Sequence, residues 1–456
     1  MAPHGFYNNP FVLFLCMLCL LTITACADSR WDGMSDKFSQ KEPAEWLNHG
    51  GDLYNRRYAS TETKISPETA SKLRLKWEFY AGQDITATPA IFNVSRATPT
   101  IAGDMLIIGI YGPAVVIALK QATGRLVWST QLDSNPAGVV TMSGTFHMGS
   151  FYVGTSSLEE GLSIEQCCIF RGSLSKLDIK TGALLWQTFT LPDNHGERGE
   201  YAGAAIWGSS PSIDVRRNLV YVATDSDKIK WYRQLGGYDV WFLACNNLST
   251  PNCPPGPNPD ADFGEAPMML SIYVNGTMRD IVTAVQKSGF AWALDRNNGS
   301  LVWATEAGPG GLSGGGTWGA ATDGIRVYTN IVNSDSKNFT LKPSEKNTTA
   351  GGWVAIEAGT GKILWSTANP SNATSNGPVT IANGVLFAGS THATGLVYAM
   401  DAASGKILWS HNTGATVFGG ASVSSGCIYV GSGYHVNIGS FFPFTSGTSL
   451  FAFCVA

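Results

Sequence analysis

One unit recurs along this 456-residue chain and constrains its fold more than any other feature. An apolar stretch runs into a polar turn that closes on glycine, and a tryptophan follows four residues later. The copies end at Gly124 and Trp128, Gly182 and Trp186, Gly299 and Trp303, Gly361 and Trp365, and Gly405 and Trp409, and shorter remnants end at Trp77 and Trp231. These seven tryptophans lie between 44 and 72 residues apart, close to the length of a four-stranded sheet with its loops. Glycine supplies the positive φ that a hairpin of about three to five residues needs, and Asp or Thr bonds the turn backbone. Short β-rich runs precede the copies, among them 105–110, 150–154, 218–223, 385–389 and 427–431. Four-stranded sheets at a steady period, with no helices between them, read as a β-propeller. The expectation is therefore one all-β propeller over 73–456 with seven tryptophan-marked blades, preceded by a lead-in segment over 28–72. The 450–453 strand has no tryptophan-bearing partner after it, so it is expected to pair with the strand ending at Trp77 and close the ring. One blade reads as shortened: after Tyr221 to Thr224 the chain passes straight to Asp225, without the strand-and-turn half.

Composition supports this reading. Glycine is abundant, at 52 residues, and charged residues make up only 14%, which disfavours a large helical bundle. Apolar residues, at 44%, supply ample core. The formal charge of −4, with no basic run, excludes a nucleic-acid partner that needs clustered Lys and Arg.

The N-terminus reads as an address. Phe11 to Ala25 is a fifteen-residue apolar run, short of the roughly 20 residues that span a bilayer, and it ends in a small-x-small site at Ala25-Cys26-Ala27. Residues 1–27 are thus expected to be a signal peptide of a secreted protein with no stable membrane span. The alternatives are a lipoprotein box at Ile23 to Cys26 and an uncleaved anchor. Six cysteines follow this segment, an even number that permits three bridges. Local reading pairs Cys245 with Cys253 across a Pro/Asn-rich loop and Cys427 with Cys454 between the last two strands; Cys167 and Cys168 are adjacent. No Cys-x-x-Cys-His is present, so no c-type haem is expected. Sequons at Asn93, Asn247, Asn275, Asn298, Asn338, Asn347 and Asn372 make a glycoprotein the expectation in a eukaryotic secretory route.

These repeats, with the stretch from Trp46 to Tyr58, resemble the pyrroloquinoline quinone (PQQ) repeats of quinoprotein alcohol dehydrogenases. Specifically, they resemble the plant branch similar to polyvinyl-alcohol dehydrogenases. The resemblance implies a propeller usually counted as eight-bladed, PQQ and Ca²⁺ as cofactors, an alcohol substrate of small or polymeric kind, and an external electron acceptor. It also implies roles residue by residue. The segment from Val153 to Glu159 resembles a family stretch in which hydroxyls hold cofactor carboxylates and a Glu binds calcium. Ser156 is then a cofactor contact and Glu159 the metal ligand, as suits an ion that takes hard oxygen ligands. Trp207 matches the floor beneath the quinone, where a flat aromatic face stacks well. Cys167 and Cys168 resemble the vicinal disulfide that covers the opposite face. Lys287 aligns with the cation on the quinone oxygens, and Trp318 is a further wall candidate. Asp262 is the candidate general base, taking the alcohol proton, with Asp239 as second choice. The family's second calcium ligand, an Asn, falls where the chain is cut short at Asp225. Each residue also has a structural reading: a solvated loop carboxylate, a blade-docking tryptophan, an exposed turn lysine. The competing whole-protein reading is a non-catalytic propeller scaffold that binds protein or glycan, since this repeat serves both classes.

Overall fold

The computed structural model of the chain describes residues 46–88, 97–163, 165–198, 201–208, 210–223, 230–236, 260–274, 276–311, 313–435, 440 and 442–455. They belong to one compact unit spanning Trp46–Ala456. The signal segment 1–27, the first part of the lead-in, Asp225, Asp239, Cys245, Cys253 and the sequons at Asn93, Asn247 and Asn275 lie outside the described residues.

Within the described residues the unit is all-β, apart from 3₁₀ turns at Ala70–Lys72 and Glu159–Gly161. Six sheets follow one another along the chain, each with a core of three or four antiparallel meander strands. We number these blades 1 to 6, over 100–131, 145–189, 268–306, 321–368, 380–412 and 422–455. Between blades 2 and 3 lies a sheet of two strands only, Ser212–Asp214 and Leu219–Tyr221. Among the described residues, the seven tryptophan signatures therefore resolve into six complete blades and one half-blade. The eight blades implied by the resemblance are not what the described residues form. In sequence, Tyr221 to Thr224 passes straight to Asp225 without the strand-and-turn pattern of a second hairpin.

Blade 6 has only three strands of its own, and the fourth is the N-terminal strand Leu73–Tyr80. Its register pairs Leu75 with Phe453, Trp77 with Ala452 and Phe79 with Leu450, the ring closure expected from sequence. The disulfide Cys427–Cys454 ties the two C-terminal strands of the same blade at directly opposed positions. The lead-in reaches further than a linker, because Tyr58–Ala59 adds a parallel strand to the inner edge of blade 5 at Ile381 and Ala382.

The repeated unit explains how neighbouring sheets dock. Within a blade the tryptophan faces a small residue across the hairpin: Ala118 opposes Trp128, Ala293 opposes Trp303, and Ala355 opposes Trp365. The ladder bulges immediately after that alanine in each case, admitting the glycine turn. The indole then reaches the next sheet. Trp128 donates to the Ile179 carbonyl at 2.9 Å, Trp303 to Ala358 at 2.8 Å and Trp365 to Ala402 at 3.0 Å. Each indole also lies on the next blade's turn glycine, where an added Cβ would come within 2.6 Å of Trp128 at Gly182 and 2.9 Å of Trp303 at Gly361. The glycine is thus required twice over, by its positive φ and by the ring against it. The core is accordingly divided between adjacent sheets rather than gathered in one centre.

Candidate functional site

The segment 260–265 organises the candidate site, because it bonds to the segments that carry Lys287 and Trp318. The Asp262 carbonyl accepts from the Lys287 backbone N–H at 2.9 Å, and the Gly264 carbonyl accepts from the Trp318 N–H at 3.2 Å. Gly264 also forms a parallel bridge with Thr317. On its other side lies Gly208: a Cβ there would fall 1.8 Å from the Gly264 oxygen, so only glycine allows this approach. Trp207, half-buried beside it, is held by its carbonyl, which accepts from Thr141 Oγ1 at 2.8 Å. That proton being committed, Ser156 Oγ is the donor in its 2.7 Å bond to Thr141 Oγ1. The fold thus strings Ser156, Trp207, Asp262, Lys287 and Trp318 along one run of contacts, although they come from blade 2, the half-blade, blade 3 and the approach to blade 4.

The electrostatic centre is a lysine between two carboxylates. Lys287 Nζ lies 2.8 Å from Asp260 and 3.0 Å from Asp262. The three differ in exposure: the Asp260 side chain is 5% exposed, Lys287 21% and Asp262 43%. Burial opposes the charge on Lys287, but Asp262 and Asp260 outweigh it and hold the ammonium above its usual range. Burial pushes Asp260 up to about 6 against the attraction of Lys287. Lys287 is therefore no exposed turn lysine, and Asp262 is a solvent-reachable carboxylate held beside a cation.

Cys167 and Cys168 are bonded to each other and half-buried. Their loop is fastened by Glu159, which is buried. Its Oε2 accepts from the backbone N–H groups of Ile169 and Phe170, both at 2.9 Å, and its Oε1 from Asn135 Nδ2 at 2.7 Å. Both oxygens are thus occupied by donors of the chain itself. Among the described residues no group of three His, Cys, Asp or Glu side chains converges to hold a metal. These surroundings suit an anchor of the disulfide loop, and they do not fit a calcium ligand. Ser156 is likewise fully buried and orders the Trp207 backbone rather than facing open space. Trp318 is half-buried with a φ of 68°, and its ring packs edge-on against Phe418 at 5.9 Å.

Sequence reading assigned no role to three buried charged or titratable groups next to this site. Glu265 accepts from the N–H groups of Val285 and Ala320; His49 Nε2 bonds the Trp318 carbonyl at 2.7 Å; Arg57 donates to the Val379 carbonyl at 2.7 Å. A charged residue inside an apolar run, such as Glu265 before Ala266 to Leu270, is the signal that marks such a group. Asp260 escaped for a simpler reason: it stands two residues from the chosen base, and only the fold shows that both reach Lys287. Among the described residues, no helix is long and apolar enough to cross a membrane.

The chain matches the family described as outer membrane protein assembly factor BamB, PQQ_2, over residues 59–305 and 287–433. It is 31% identical to a polyvinylalcohol dehydrogenase of Pseudomonas sp and 29% identical to one of Sphingopyxis sp. (strain 113P3), in each case over 70% of this chain and 56% of the relative. The chain thus spans little more than half the length of these curated relatives. Among solved structures, the quinohemoprotein alcohol dehydrogenase ADHIIG of Pseudomonas putida HK5 superposes with a TM-score of 0.68 over 91% of this chain and 80% of its own, at 14% identity, which is a likeness of fold. The repeats, the closed ring of sheets and these matches agree: the chain belongs to the PQQ-repeat, quinoprotein alcohol dehydrogenase-like family.

Proposed function

We propose that this chain is an exported oxidoreductase that oxidises an alcohol with PQQ. The observation that carries the reading is the pair of Asp262 and Lys287, a solvent-reachable carboxylate 3.0 Å from an ammonium on the segment that abuts Trp207 and Trp318. The residues present fit the quinone. Trp207 offers a flat face, the Cys167–Cys168 bridge is a candidate cover, and Lys287 is a cation for a polyanionic ring system. When bound, PQQ supplies the acceptor for the hydride leaving the carbinol carbon. Asp262 is positioned to take the hydroxyl proton on a carboxylate oxygen, with Lys287 steadying the charge before transfer and Asp260 fixing the lysine from its buried side. The apolar run from Phe11 to Ala25 supports export, and an external protein or dye would receive the electrons. Because the donors around Glu159 do not fit a cation, no step here uses calcium.

A second reading has its own observation. Beside the half-blade, the described residues line a cleft of about 400 Å³ that includes Trp186, Tyr232, Trp292 and Leu294. Such an apolar cleft suits a scaffold that binds another molecule. One experiment separates the two: titration of the oxidised, full-length protein with PQQ, followed by fluorescence quenching, with and without added Ca²⁺. Saturable binding at micromolar PQQ supports the enzyme, and its absence under both conditions leaves the scaffold.

A further inference from the structure

Glu265 is a buried carboxylate that the proposed chemistry does not use. Its Oε1 accepts from the Val285 N–H at 2.9 Å, two residues before Lys287. Its Oε2 accepts from the Ala320 N–H at 2.7 Å, two residues after Trp318. One planar group therefore spans the two segments that deliver the cation and the aromatic wall. We propose that Glu265 is a positioning residue that fixes Lys287 and Trp318 relative to each other by taking one backbone N–H from each of their segments. This rests on the quinone-site reading above as far as cofactor binding is concerned; the mechanical claim stands on the geometry alone.

The same turn is gripped from its opposite side. His49 donates from Nε2 to the Trp318 carbonyl at 2.7 Å, and its Nδ1 lies 3.3 Å from the hydroxyls of Thr88 and Thr98. Arg57, fully buried, sits so close to Gly319 that a Cβ there would come within 2.9 Å of its Cδ. Its guanidinium donates to the Val379 and Ala421 carbonyls and to Thr380 Oγ1, on the inner strands of blade 5 and just ahead of blade 6. The turn at Trp318 is thereby tied to three sheets at once. Buried polar and ionisable groups cost more to fold than apolar groups of equal volume, so a Glu–Arg–His set at one turn is a poor device for stability and a good one for holding a backbone in place. Replacing Glu265 also strands at least one buried N–H, a loss paid only where that N–H lies.

The test compares amide hydrogen exchange of the full-length, cofactor-free protein in wild type, Glu265→Gln and Glu265→Asp. Gln keeps the length but turns one acceptor into a donor; Asp keeps the charge but falls short of one segment. In either variant the peptides covering 283–289 or 316–322 should exchange about tenfold faster, the equivalent of one lost buried hydrogen bond, while 396–401 and 427–431 stay unchanged. The PQQ dissociation constant should rise in parallel. Unchanged exchange in both segments, or a uniform rise across all blades, overturns the proposal. Should the wild type bind no PQQ, the functional reading fails while the exchange comparison still decides the role of Glu265.

Discussion

Lys287 lies between two carboxylates of unequal exposure, and that inequality divides their roles. Asp262 can meet a substrate, whereas Asp260 faces inward and holds the lysine. Asp262→Asn should therefore leave PQQ affinity close to wild type and lower turnover by about a hundredfold or more, the usual share of a positioned base, read by steady-state rates with an artificial acceptor. Lys287→Met leaves Asp260 buried without its cation, and should destabilise the protein by about 3 kcal/mol in urea unfolding. A pH effect follows from Glu265. Burial, opposed by three backbone N–H groups and Arg57, raises it from an ordinary 4.5 to about 7. Between those values the folded protein carries a proton that the unfolded chain has released, so this group makes stability fall as pH rises from about 4.5 to 7. Asp260, pushed up to about 6, acts with the same sign. Glu265→Gln should flatten the decline of Tm across that range in calorimetry, and an unaltered slope would assign the decline to other groups.

At the scale of the strand and turn, the tryptophan of one blade and the glycine of the next form a single joint, and its strength depends on whether the next blade has the turn. Trp303 donates to Ala358 and lies on Gly361, so Trp303→Phe should cost about 1–2 kcal/mol. Trp186 faces the half-blade, which shows no such turn among the described residues, and is 38% exposed. Trp186→Phe should change stability by less than about 0.5 kcal/mol, and equal losses at the two positions would refute the joint. Trp231 shows that the joint outlives its own hairpin: it donates to the Arg296 carbonyl at 3.0 Å and lies on Gly299. The half-blade is pinned further by charge, with Arg217 bridging Asp214 and Asp280.

For the molecule as a whole, closure joins residues almost 400 positions apart in sequence, so the ring stands or falls with the pairing of Leu73–Tyr80 and Ser449–Val455. The Cys427–Cys454 bridge closes a loop on that sheet, and its removal as the double serine variant should cost about 3 kcal/mol, seen as a lower urea midpoint.

The repeat was legible because its causes are local: a glycine with positive φ, a small residue opposite a large ring, and alternation along a strand act within about ten residues. Ring closure was legible by elimination, since one strand lacked a partner. The candidate site was legible as a list of residues, and the tertiary structure decided what each does. Glu159 carried the motif of a metal ligand, yet the chain folds three donors onto its carboxylate. Lys287 was ambiguous until Asp260 and Asp262 met it; Glu265 stood out only as a charge beside an apolar run, and nothing in sequence joined it to Arg57 and His49. The physical reason is common to all of them: a strand's identity depends on its neighbours along the chain, whereas the state of a buried charge depends on which donors and charges the fold brings within about 3 Å of it.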